Sequence, residues 1–121
     1  MWRYPNLPTL RVLVDGRDAQ VRAFKAASVP ARMFGLLGRR ALAPDEALWL
    51  TPCSSVHTLG MNYPIDVVFL DRARRVVATR SAVKPRRMSI ARRAHSVLEL
   101  PALTAARLGI VPGVSLTLEG A

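Results

Sequence analysis

Apolar and polar residues alternate with a period of two along much of the chain. The segment Thr9-Leu10-Arg11-Val12-Leu13-Val14 alternates and is rich in β-branched residues, then meets Asp15-Gly16. That dipeptide marks a two-residue hairpin, because both residues tolerate positive φ. Gln20-Val21-Arg22-Ala23-Phe24 reads as the returning strand. Ser28-Val29-Pro30 predicts a helix start, with a capping hydroxyl and proline in the first turn. That helix should run to about Leu37 and stop at Gly38, with Met33, Leu36 and Leu37 on its inner face. Ala47-Leu48-Trp49-Leu50 is a short apolar strand broken by Thr51-Pro52.

Ile65-Asp66-Val67-Val68-Phe69-Leu70 is the strongest strand signal. It is apolar on both faces except at Asp66, which predicts a central strand covered on both sides. A turn over 71–74 leads to a return strand over 75–80, and 84–87 reads as a loop. Ser96-Val97-Leu98-Glu99-Leu100 is another strand, and Pro101 opens a short helix over 102–108 that Gly109 stops. Pro112-Gly113 turns the chain into a last strand over 114–118. The pattern predicts a mostly β (α+β) single domain over 9–121, with seven or eight short strands and two short helices. A jelly-roll-like sandwich or a barrel fits that spacing. Pro5 and Pro8 predict an extended N-terminal arm over 1–8.

Composition narrows the class. The chain has 121 residues, half of them hydrophobic, which is one domain able to bury its own core and not a disordered chain. No apolar run approaches the length of a membrane-spanning helix, so no membrane partner is expected. The first residues, Met1-Trp2-Arg3-Tyr4-Pro5, hold no continuous apolar stretch of signal-peptide type. The single cysteine excludes an internal disulfide and a multi-cysteine zinc site, and it suits the cytoplasm. No cofactor and no metal are expected.

Charge changes the picture further. The net charge is +10, from 18 basic and 8 acidic residues. Residues 72–93 hold nine bases and no acid, so the rest of the chain is nearly neutral. A clustered basic surface attracts anions, and Arg80, Lys84, Arg86 and Arg87 are the candidate anion-binding residues. No aromatic residue lies within 72–93, so the platform that stacks single-stranded bases is missing there.

Candidate chemistry gathers in 49–66. That segment contains the only cysteine, one of two histidines, several hydroxyls and a carboxylate. A thiol nucleophile needs a base and a group that orients the base, and Cys53, His57 and Asp66 match those residue types. An extended chain would separate Cys53 from His57 by about 13 Å, so only a turn would join them. The competing reading makes Cys53 a small core residue and places His57 and Asp66 in a structural polar network. Buried as a charge in an apolar strand, Asp66 needs a partner; His57, Arg32 and backbone N–H groups are candidates.

Three motifs in order carry a family resemblance. They are Arg32-Met33-Phe34-Gly35-Leu36-Leu37-Gly38-Arg39; then Trp49, Pro52-Cys53, Val56-His57-Thr58 and Gly60-Met61; then Pro64-Ile65-Asp66-Val67-Val68-Phe69-Leu70-Asp71. Together with Val97-Leu98-Glu99-Leu100-Pro101, they resemble the domain-of-unknown-function family 192 over about 9–118. The resemblance implies a compact, mostly β domain of jelly-roll or sandwich type, and no established activity. The family's best-marked positions fall on Arg32, Gly35, Cys53, His57, Thr58, Met61, Pro64 and Asp66. Two turns depart from the family pattern: Asp71-Arg72-Ala73-Arg74 has no glycine, and Gly113 is followed by Val114.

Three functions compete. The first is a non-enzymatic module binding a small anionic ligand in a polar pocket lined by Arg32, Trp49, His57, Thr58, Met61 and Asp66. The second is a cysteine-dependent enzyme using Cys53 with His57. The third is an adaptor that meets nucleic acid or an acidic partner through 72–93. The sequence favours the first and leaves enzymatic activity open.

Overall fold

The computed structural model describes residues 7–27, 41–57 and 63–120. Among these the strands are β1 (Thr9–Val14), β2 (Arg17–Ala26), β3 (Glu46–Leu50), β4 (Ser55–His57), β5 (Ile65–Leu70), β6 (Val76–Val83), β7 (Met88–Ile90), β8 (Ser96–Pro101) and β9 (Leu116–Gly120). The helix α1 (Thr104–Leu108) lies between β8 and β9. The helix expected over 28–37 lies outside the described residues. The helix expected over 102–108 starts at Thr104, because Pro101 still belongs to β8.

Asp15 and Gly16 close the β1–β2 hairpin with φ of 47° and 84°, the two positive angles that a tight turn of this hand requires. The turn also clamps the approach to β9. The Asp15 amide donates to the Ser115 carbonyl at 2.9 Å, and the Ser115 amide donates to the Asp15 carboxylate at 3.0 Å. Gly109 ends α1 in the left-handed region with φ 72°, where a side chain would be strained.

Seven strands form one curled sheet in the order β6-β5-β8-β3-β2-β1-β9, and β4 pairs with β7 in a separate ribbon. Only β2 and β3 run parallel among the described strands. The sheet's two edges meet at one point: the Val76 amide donates to the Val114 carbonyl at 2.8 Å, and the Leu116 amide to the Arg74 carbonyl at 2.9 Å. The architecture is thus a half-barrel. The described strands show no jelly roll of two facing sheets, because a single sheet curls until its own edges touch.

The two faces of the sheet carry two cores. Val12, Val14, Trp49, Val68, Leu70, Leu98 and Leu100 share one cluster with Val76 and Leu116 from opposite edges, so this cluster fills the concave side. Leu48, Leu50, Ile65, Val67, Phe69 and Val97 form the convex cluster, covered in part by Val56 of the β4–β7 ribbon. All six residues of β5 are buried, as its two-sided apolar pattern predicts. Leu7 packs on the convex cluster, and the Pro8 carbonyl accepts the Lys25 amide at 2.8 Å.

Candidate functional site

Asp66 is buried, at 1% exposure, and its carboxylate is fully engaged. One oxygen accepts the amides of Ala82 at 2.8 Å and Leu103 at 3.0 Å; the other accepts the Ala105 amide at 2.9 Å. Leu103 is the N-cap of α1 but offers no side-chain cap. Asp66 therefore caps α1 from across the fold, satisfying N–H groups that the first helical turn leaves unpaired. Of the partners expected for Asp66, backbone N–H groups are the ones observed. Asp66 is not among the residues that line a barrel-end cavity next to α1; it positions that helix.

Cys53 follows the cis Thr51–Pro52 bond and is half-buried against the convex core. Its amide donates to the His95 carbonyl at 2.8 Å, and its Sγ donates to the Ser55 carbonyl at 3.0 Å. The backbone of His57 pairs with Met88 at the end of β4. Arg32, Thr58 and Met61 lie outside the described residues. Among the described residues no three His, Cys, Asp or Glu side chains gather as metal ligands.

Trp49 is buried in the concave core, near the C-terminal end of β3. The Lys25 ammonium stands 5.4 Å from its ring centroid and the Arg74 guanidinium 5.2 Å. Two cations thus cover the ring that the sequence offered as a ligand contact. Its Nε1 makes no hydrogen bond among the described residues.

Glu99 was not singled out by its sequence position, yet it is 3% exposed. Its strand neighbours Leu48 and Val67 both belong to the convex core. Burial among these apolar groups pushes its carboxyl up to about 8 from the usual 4.5, so at neutral pH it is mostly protonated. The alternation of β8 does hold the signal: a lone acid in phase with Val97 on an apolar face.

The four expected anion-binding residues do not act alike. Arg80 lies 5.8 Å from the buried Phe69 ring and donates to the Thr79 carbonyl at 3.1 Å, so it serves the convex core as a cover. Arg86 sits in the turn after β6 with φ 65°, and Arg87 folds back toward the Arg86 carbonyl. Lys84, Arg86 and Arg87 are all exposed.

The barrel-end cavity lies where β2 and β3 begin, next to α1. It measures about 630 Å³ and is bounded by the β1–β2 hairpin, the 44–45 turn and α1. Val14, Ala19 and Leu108 form its inner wall; Arg17, Asp18, Gln20, Asp45 and Arg107 line its polar mouth. Asp18 is occupied, accepting the Gln20 amide at 2.7 Å and pairing with Arg11 at 3.2 Å. Arg17 and Arg107 make no ion pair among the described residues. Sequence reasoning missed this cavity, because Arg17 and Arg107 lie 90 positions apart with no shared motif. Asp66 acts on it indirectly, by holding the helix that carries Arg107.

Comparison with known proteins agrees with this architecture. A structure from Sinorhizobium meliloti 1021, described as a candidate transcription regulator, superposes with a TM-score of 0.83 at 24% identity, covering 93% of this chain and 95% of that one. A protein of unknown function from Novosphingobium aromaticivorans DSM 12444 superposes with a TM-score of 0.80 at 25% identity, covering 93% and 87%. No curated protein matches the sequence. The model of family DUF192, described as Uncharacterized ACR, matches residues 11–118, nearly the whole chain. With its motifs and its half-barrel in agreement, the chain belongs to the DUF192 family.

Proposed function

We propose that this protein is a non-enzymatic binding module for a small polar ligand carrying a carboxylate or phosphate. The ligand sits in the barrel-end cavity between the β1–β2 hairpin and α1. One observation carries the reading: Arg17 and Arg107 line the same cavity of about 630 Å³, and neither is paired among the described residues. A cavity of that volume suits a small metabolite. Two guanidiniums offer forked donors to a carboxylate or phosphate, and Asp45 across the mouth favours a ligand that also carries a hydroxyl or amine. The apolar inner wall of Val14, Ala19 and Leu108 leaves room for a short aliphatic body.

This reading keeps the class that the sequence favoured and moves its site. The pocket is not built around Asp66, whose carboxylate is committed to three amides. The contact between Cys53 Sγ and the Ser55 carbonyl supports Cys53 as a packed thiol more than as a nucleophile. A thiol outside any disulfide suits a reducing compartment such as the cytoplasm.

Thermal denaturation against inorganic phosphate, hydroxy acids and amino acids tests the proposal. A ligand present at ten times its Kd contributes about 1.4 kcal/mol, which raises the melting temperature by about 5 °C in a domain of this size. The rise should disappear in Arg17→Gln and Arg107→Gln. A rise that both variants retain would place the ligand elsewhere.

A further inference from the structure

The β4–β7 ribbon carries a second surface, independent of the barrel-end cavity. On β7, Met88 and Ile90 are 64% and 55% exposed, while Ser89 between them is half-buried. Ala91 packs on the convex core, and Val56 of β4 is buried in it. The ribbon is therefore anchored on one side and presents its apolar side chains on the other.

Charge brackets those two side chains. Arg86 stands two residues before Met88, and Arg92 two residues after Ile90; all four are exposed. Arg86 lies in the turn before β7 and Arg92 in the turn after it, so the stripe has a cation at each end of its exposed apolar pair. Arg93 adds a further exposed cation, and no acid occurs between 72 and 93 to neutralise the stripe. Exposed large apolar side chains ringed by arginine are the composition of a contact surface more than of a solvated one.

We infer that this stripe docks an extended acidic segment of a partner protein, one with two apolar side chains at alternate positions between acidic residues. The acids face Arg86 and Arg92, and the apolar pair lies on Met88 and Ile90. Complementary charge selects a protein segment rich in Asp or Glu. The apolar centre argues against nucleic acid, because phosphates leave Met88 and Ile90 uncovered and the stripe has no aromatic residue to stack bases. An acidic strand laid along a ribbon edge is also an established way for an extended segment to bind.

Fluorescence anisotropy on the whole protein tests this with four probes. The first is a set of labelled peptides with two valines flanking one varied residue, between pairs of glutamates. The others are a polyglutamate of equal charge, a single-stranded DNA and a duplex DNA. At least one of the valine peptides should bind ten-fold or more tighter than polyglutamate and DNA. The double variant Met88→Ser with Ile90→Ser should remove that preference, and Arg86→Gln with Arg92→Gln should weaken the valine peptide about ten-fold at low salt. These positions are exposed, so an unchanged melting temperature verifies that the variants fold. Three results would each overturn the inference: failure of every valine peptide to bind, DNA binding that equals theirs, or a preference that survives the paired serine substitutions.

Discussion

The Asp66 carboxylate accepts the Ala105 amide at 2.9 Å across 39 residues of sequence. With the amides of Leu103 and Ala82 it ties the start of β5 to the first turn of α1 and to β6. A helix of five residues has little stability of its own. Its position, and with it the position of Arg107, depends on that carboxylate.

Asp66→Asn should therefore destabilise the fold by about 3 kcal/mol, because an amide NH₂ would face backbone donors and leave at least one buried N–H unpaired. Urea unfolding measures this. The variant should also lose ligand-induced stabilisation, since α1 carries one wall of the cavity. A change below about 0.5 kcal/mol would show that α1 stands without Asp66.

Glu99 makes stability depend on pH in a definite direction. Its carboxyl titrates near 4.5 in the unfolded chain and near 8 in the folded one. Between these values the folded protein holds one more proton than the unfolded one. Stability should fall as pH rises from about 5 to about 8, by up to about 1.4 kcal/mol per pH unit. Glu99→Gln should flatten that slope and stabilise the protein most above pH 8. Unfolding curves for both proteins at about pH 5, 6.5 and 8 measure the difference; parallel pH profiles would mean that Glu99 is ionised without cost.

Trp49→Phe should cost about 1 kcal/mol or less. The change removes an indole N–H that has no acceptor among the described residues and retains an aromatic face under Lys25 and Arg74. The smaller ring leaves some space, which opposes that gain. Chemical denaturation resolves the balance. A loss above about 3 kcal/mol would mean that the indole nitrogen is bonded in solution.

Native Cys53 should react with iodoacetamide at least ten-fold more slowly than the unfolded chain, because it packs on the convex core and donates to Ser55. His57→Ala should leave the native rate unchanged. A rate that falls in His57→Ala would restore a histidine-activated thiol.

Where contacts are local, the sequence reads well. Asp15-Gly16 announces its hairpin because the dipeptide itself supplies the positive φ angles. The run 65–70 announces a central strand because both of its faces must be covered. The three-residue strands β4 and β7 give no periodic signal and exist through pairing with each other. Asp66 stands out in sequence as a charge needing a partner, but its partners come from Ala82, Leu103 and Ala105, which no motif connects. The curl of the sheet is likewise invisible until Val76 meets Val114. Arg17 and Arg107 become one site only after that curl has formed.

The central claim is that a small acidic ligand binds between Arg17 and Arg107. Its most direct measurement is a nuclear magnetic resonance titration of the isotope-labelled protein with the ligand giving the largest melting shift. The account predicts saturable amide shifts at Arg17, Gln20, Asp45 and Arg107, with residues 86–93 unmoved. Shifts confined to 86–93, or none that saturate near the cavity, would contradict it.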